Sequence, residues 1–373
     1  MTDRYAGPRR TQIKLTIFSD RRYLPENVPP FVMLYPFWGQ ATDDLAVVNR
    51  AIYDRYLATG RDFFELTALD HAHAAVLPFA WEYAAQRPDA QTLADRLAAE
   101  AARFNKPVLV FYRADYESPL PVPNSLIFRT SLTRDRRRPN EFILPGWTTD
   151  FADQYCAGQV RVRPKGLRPV VGFCGDVSSG KRRRDRLGRL LGANPAIWRF
   201  ARRLGIELIP HPGSRIRLHA LRALARSPSI QPNFVIRYGH WNGAVYRGAV
   251  LDRRKVEQSR QDYVENMLGS DYILCARGKG NYSYRLYETL SCGRIPVFVN
   301  TNGVLPYEHW IDWRQYCVWV DEQDLAHIAE RVAEFHERLS PRQFEDLQLA
   351  CRQLWLDWLS PAGFFANFYR HFT

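Results

Sequence analysis

The chain has 373 residues, long for a single core and suited to two, since one domain usually runs to about 100–200 residues. A hydrophobic share of 46% and an aromatic share of 13% exclude a disordered or fibrous chain. The net charge of +13 comes almost wholly from arginine, only six of the 52 basic residues being lysine, and the planar guanidinium fork suits phosphate or carboxylate. Anionic partners are therefore expected: nucleotide diphosphates, acidic glycans, a lipid surface or nucleic acid, with solvated arginine accounting for much of the excess.

Residues 1–14 are polar and basic with no apolar stretch behind them that would read as a secretory signal. The longest uncharged run, 27–42, is interrupted by Pro29, Pro30 and Pro36 and is shorter than the roughly 20 residues needed to span a bilayer, so no transmembrane segment is expected. Residues 12–18 alternate as a strand does, and 30–38 form a second apolar run. Helical patterns cover 44–58 and 89–104, with strands at 74–79 and 107–112. From 116 to 145 the pattern loosens around Pro119, Pro121, Pro123 and Pro139 and the charge run 134–138. Residues 161–169 have the basic, Pro/Gly composition of a linker.

A second series begins with a strand at 170–174. It continues through an Arg-rich helix near 182–204, a strand at 206–209, a helix near 258–268, a strand at 272–276, a helix near 283–292 and a strand at 295–299. Residues 323–338 and 341–358 read as closing helices. Strands alternating with helices imply parallel sheets covered on both faces, hence an α/β fold. The expected division is 1–165, 166–345 and an aromatic tail, 346–373, packed back on the first part. The six cysteines show no CxxC pair and read as reduced, structural thiols in a reducing compartment.

The stretch 270–299 is a strand, a glycine-containing loop, a helix starting near Ser283, a C-terminal Gly293 and a second strand. Ligands of open α/β sheets bind beyond the carboxyl ends of strands, and free N–H groups at a helix start favour a diphosphate. Arg277, Lys279 and Arg285 add positive charge there. Arg285 and Glu288 lie three apart on one helix face, and a carboxylate there can accept two hydrogen bonds from a ribose diol; the alternative is an ordinary Arg–Glu surface pair.

Cys275-Ala-Arg277-Gly278, Ser283-x-Arg285-x-x-Glu288, Gly293-Arg-Ile-Pro-Val297, Leu305-Pro-Tyr-Glu308 and Ile311-Asp-Trp313 resemble the C-terminal half of exostosin-family glycosyltransferases. The likeness covers roughly 170–330 and is specific at 270–313. It implies a GT-B fold of two Rossmann-like domains facing a cleft, in a cytoplasmic enzyme of bacterial type, with contact at the inner membrane face left open. It also implies inverting transfer from a nucleotide-sugar co-substrate, UDP favoured over GDP, to an oligosaccharide, polysaccharide or lipid-linked glycan, with no metal or further cofactor and no nucleic acid. Arg277, Gly278, Lys279, Ser283 and Arg285 would hold the diphosphate and Glu288 the ribose. Ala276 replaces a frequent proline, and Arg294 stands where cysteine is common.

Upstream, Gly172 to Lys181 imitates a P-loop, but Arg182 stands where magnesium binding needs Ser or Thr, so a kinase or ATPase is the weaker alternative. Lys181 or Arg183 could still reach donor phosphates, or begin a solvated basic helix. A non-enzymatic protein gripping anionic glycans through its arginines is the other alternative. A catalytic base is expected from loops of the first half, and Glu82, Asp115 and Glu117 are the candidates. Asp115-Tyr-Glu117 also imitates a DxD metal motif, and Asp70-His71-Ala-His73 a metal pair, without further spaced ligands.

Overall fold

The computed structural model describes residues 13–39, 50–177, 212–237, 245–246, 249–250 and 252–372. The first half folds around one parallel sheet of six strands: β1 (Leu15–Phe18), β2 (Phe64–Leu66), β3 (Ala74–Val76), β4 (Val108–Tyr112), β5 (Ser125–Arg129) and β6 (Glu141–Ile143), in spatial order β2-β1-β3-β4-β5-β6. The Val-Leu-Val-Phe-Tyr of β4 is buried at every position, as a strand covered on both faces requires. The helix Pro88–Arg103, opened by a proline that needs no N–H partner, lays Ala90, Ala94, Leu97 and Ala101 onto the sheet.

The second half repeats the plan with β7 (Val170–Asp176), β8 (Gln231–Arg237), a short antiparallel pair β9 (Val245–Tyr246) and β10 (Ala249–Val250), then β11 (Tyr272–Cys275), β12 (Ile295–Asn300) and β13 (Val318–Asp321). Its five-stranded parallel sheet runs β13-β12-β11-β7-β8. In each sheet the first strand sits between the second and the third. The order of winding reverses beside it, and open α/β sheets bind ligands at such a switch point. The fold is thus α/β, two parallel sheets in succession.

The chain between the sheets is pinned: Arg163 pairs with Asp271 at 2.6 Å and Lys165 donates to the Leu339 carbonyl at 2.6 Å. After the helix Pro341–Leu354, opened by a Ser340/Gln343 capping box, the chain leaves the second sheet. Phe364, Phe365 and Phe368 then pack on Phe64, Phe128 and Tyr56 of the first half. All six cysteines are buried and none is bonded to another. No helix of the described residues is long and apolar enough to cross a membrane.

Several elements differ from the sequence expectations. The apolar run 30–38 is helical: Val32–Leu34 is a 3-10 turn and Tyr35–Trp38 a helical turn, with Pro36 in its first turn, where a proline continues a helix but could not donate to a sheet. The loosened stretch 116–145 contains β5 and β6. The helix Pro212–Arg226 and the edge strands β8 and β13 were not anticipated. The helix expected at 182–204, the strand at 206–209, and Lys181 and Arg183 lie outside the described residues, as does part of 44–58.

Candidate functional site

The switch point of the second sheet lies where β7 and β11 end. Arg285, one residue into the helix Tyr284–Ser291, reaches down between them and donates from Nη2 to the Cys174 carbonyl at 2.6 Å. Its guanidinium lies 4.5 Å over the Phe173 ring and 5.6 Å from Tyr263. A Cβ at Gly175 would meet that Nη2 at 2.8 Å, so the glycine leaves the arginine its place. One turn further, Glu288 accepts a hydrogen bond from the Tyr263 hydroxyl, carried by the helix Arg253–Leu268. Burial lifts the Glu288 carboxyl above its ordinary value, against the Tyr263 hydrogen bond and the charges of Arg285 and Arg260.

A second guanidinium group closes on the same place, and a third stands on the loop after β11. Arg217, on the helix Pro212–Arg226, donates to the Asp176 carbonyl at 3.4 Å; burial, then the charge of Arg285, lower its pKa to about 10. Gly213 lets the first turn of that helix lie on the loop after β11, because a Cβ there would stand 2.3 Å from the Arg277 carbonyl oxygen. Arg277 donates to the Lys279 carbonyl at 3.1 Å, and burial lowers its pKa against the pull of Glu117, Glu322 and Asp115. The Nε–H groups of Arg217, Arg277 and Arg285 are all shielded from water without an acceptor among the described residues. A buried donor left unpaired costs about 1–3 kcal/mol. Two of these donors, on Arg217 and Arg285, stand at the end of β7 and form a place for an anion, with Arg277 on the adjoining loop.

The loop itself turns through a Gly278 N–H bond to the Tyr282 carbonyl at 3.0 Å. Lys279 is exposed, its ammonium 5.1 Å from the centre of the Tyr116 ring. Ser283 is the N-cap residue, extended at φ −139° and ψ 117°, and its hydroxyl makes no capping bond. Arg277, Gly278, Lys279, Ser283, Arg285 and Glu288 therefore lie together on one loop and helix.

Acids of the first half reach the same loop. Asp115 accepts from the Gly280 N–H at 3.2 Å. Glu117 accepts through Oε1 from the hydroxyls of Ser131 at 3.1 Å and Thr133 at 2.9 Å. Those hydroxyls in turn accept from the Asn281 N–H at 2.8 Å and Nδ2 at 3.0 Å. Glu82 is paired with Arg113 at 2.8 Å and accepts its backbone N–H at 3.1 Å.

Arg217, Tyr263, Ser131, Thr133 and Asn281 escaped the sequence reading. Pro212-Gly213 was a helix-start signal that could have located Arg217; nothing local marks the other four. Glu308, of the Leu-Pro-Tyr-Glu motif, takes both Nη groups of Arg134, at 2.9 and 2.7 Å. His73 meets the Thr16 N–H at 3.1 Å and His71 pairs with Asp70 at the surface. Among the described residues no group of three or more His, Cys, Asp or Glu is placed to hold a metal ion.

Residues 225–335, from the end of the Arg217 helix through β13, match the Exostosin GT47 domain. Over this segment the chain is similar to the exostosin family. Exostosin-1 of Drosophila melanogaster is 37% identical over 81 residues, 22% of this chain and 11% of that protein. The exostosin-1 homolog of Caenorhabditis elegans is 30% identical over 111 residues, 30% of this chain and 28% of that protein. The chain thus spans between 11% and 28% of the length of these two relatives. A solved structure of a mutant TarM from S. aureus, in complex with fondaparinux, alpha-GlcNAc-glycerol and UDP, aligns at a TM-score of 0.33 and 9% identity over 74% of this chain and 53% of that one, a likeness too slight to bear on fold or function. The exostosin segment contains Tyr263, Arg277, Ser283, Arg285 and Glu288; Arg217, Glu117 and Asp115 come from outside it.

Proposed function

We propose that this chain is an inverting glycosyltransferase that moves a sugar from a nucleoside diphosphate sugar, UDP favoured and GDP second, to a hydroxyl of a glycan or glycoconjugate in polysaccharide biosynthesis. The observation that carries the reading is the meeting of Arg217 and Arg285, each with a buried Nε–H lacking an acceptor among the described residues, at the switch point where Glu288 and Tyr263 also stand, with Arg277 on the adjoining loop. The diphosphate occupies the guanidinium crevice and the first turn of the helix Tyr284–Ser291, and the pentose hydroxyls meet the Glu288 carboxylate. Negative charge grows on the leaving diphosphate as the glycosidic bond breaks. Fixed guanidinium groups in a dry crevice stabilise that charge more than they stabilise the intact donor, which is how they accelerate the step.

A thermal-shift panel of UDP, GDP, ADP, CMP and ATP, with and without divalent metal, tests this. One diphosphate should raise the melting temperature selectively, since a ligand at a hundred times its Kd stabilises by about 2.7 kcal/mol. The shift should vanish in Arg285→Ala and shrink in Glu288→Gln. A flat response to every nucleotide contradicts the reading.

A further inference from the structure

Three acids were open as the base of the transfer, and their surroundings in the structure are unlike. Glu82 is consumed by Arg113, which takes Oε1 through its side chain and Oε2 through its backbone. Asp115 is spent on the Gly280 N–H, and a Cβ at Gly280 would come within 2.9 Å of it, so the acid holds the loop's backbone. Glu117 is different at its two oxygens. Oε1 is fixed by the Ser131 and Thr133 hydroxyls, whose own acceptor positions are filled by Asn281, so the carboxylate cannot rotate without disturbing a hydrogen-bond network that crosses between the two halves. Oε2 is shielded from water and has no hydrogen-bond partner among the described residues. Among the charges around it is the Arg277 guanidinium, for which Glu117 is the leading carboxylate partner.

We infer that Glu117 is the proton acceptor of the transfer, with Ser131 and Thr133 as its positioning residues. The inference rests on the glycosyltransferase reading above. A carboxylate oxygen kept dry and unpaired is costly unless a donor is to arrive there. In the step, the acceptor hydroxyl gives its proton to Glu117 Oε2 while its oxygen bonds to the anomeric carbon. The bond from that carbon to the diphosphate breaks, and its electron pair leaves on the diphosphate toward the arginines. Water later removes the proton from Glu117.

The test compares wild type with Glu117→Gln, Glu117→Asp, Asp115→Asn, Glu82→Gln and the double variant Ser131→Ala/Thr133→Val. Nucleotide release is measured from UDP-glucuronic acid, UDP-xylose, UDP-galactose, UDP-N-acetylglucosamine and GDP-mannose, with water as acceptor, beside the thermal shift given by UDP and GDP. Glu117→Gln should lose about 10²–10⁴-fold in kcat and keep the nucleotide-induced shift and the donor KM of wild type. Glu117→Asp and the double variant should fall between, Glu82→Gln should stay within about tenfold of wild type on the same scale, and Asp115→Asn, at the residue that holds the donor loop, should act on donor KM more than on kcat. Retained turnover in Glu117→Gln overturns the inference and leaves the transferase reading standing. So does loss of its nucleotide shift, which would make Glu117 a strut for the loop. Nucleotide binding absent from wild type, or a wild type silent toward every donor, removes the transferase reading and this inference with it.

Discussion

Arg285 does three things at once: it ties the helix start to the end of β7, stacks on Phe173 and keeps one Nε–H unspent among the described residues. Lysine keeps the charge but not the fork. Arg285→Lys should therefore fold and lose about tenfold or more in nucleotide affinity, by calorimetric titration, since a hydrogen bond to a charged group contributes about 1.5–3 kcal/mol. That Arg285 and Glu288 share a helix face was legible from their spacing; Tyr263, whose hydroxyl donates to Glu288, comes from 25 residues away and leaves no trace in the local pattern. His371 is a second residue whose state is set by packing. It lies among Phe128, Phe142 and Tyr307 with both ring nitrogens shielded from water and without a hydrogen-bond partner among the described residues, and burial, then the charge of Arg137, lower its pKa to about 3. The unfolded chain, with histidine near its ordinary value of 6.5, takes up the proton first, so folding should lose stability as pH falls from about 6.5 toward 3 and be indifferent above 7. His371→Phe should flatten that part of the stability curve in urea titrations at several pH values; an unchanged slope would place the acid sensitivity elsewhere.

At the scale of elements, glycines set how closely the pieces approach. Gly175→Ala pushes a methyl to 2.8 Å from Arg285 Nη2, and Gly213→Ala to 2.3 Å from a backbone oxygen. The first contact can relax by moving a side chain and the second cannot. Gly175→Ala should therefore fold near-normally and bind nucleotide more weakly, while Gly213→Ala should lower the melting temperature as well. The strands that carry the site, β7, β11 and β12, were readable as apolar runs bounded by turn residues. β5 and β6 were not, because prolines on one side and the 134–138 charges on the other masked them, and what helps to bury them is the aromatic tail from the far end of the chain. That charge run is itself engaged: Arg134 and Arg137 both pair with Glu308, and Asp135 accepts from Asn302.

For the whole molecule, contacts of different kinds join the two sheets, among them the hydroxyl and amide network around Asn281, the Arg134–Glu308 clamp and the aromatic tail. The exposed half of the clamp makes it a modest contributor, on the order of 1 kcal/mol or less. The tail is the larger contributor. Phe368 is fully buried against Phe64, Phe111 and Phe128, so Phe368→Ala should cost about 3–5 kcal/mol of unfolding free energy. Equal stability by chemical denaturation would mean that the tail rests on the first half without holding it.

A nucleotide diphosphate in the crevice between β7 and β11 is what the proposed function and the role of Glu117 both require. The most direct test is a crystal structure of the chain with UDP or whichever diphosphate stabilises it. Diphosphate oxygens should lie within hydrogen-bond distance of Arg277 and Arg285, with the pentose against Glu288. A nucleotide seated beyond β1 and β3 of the first sheet, with the three arginines untouched, would contradict it.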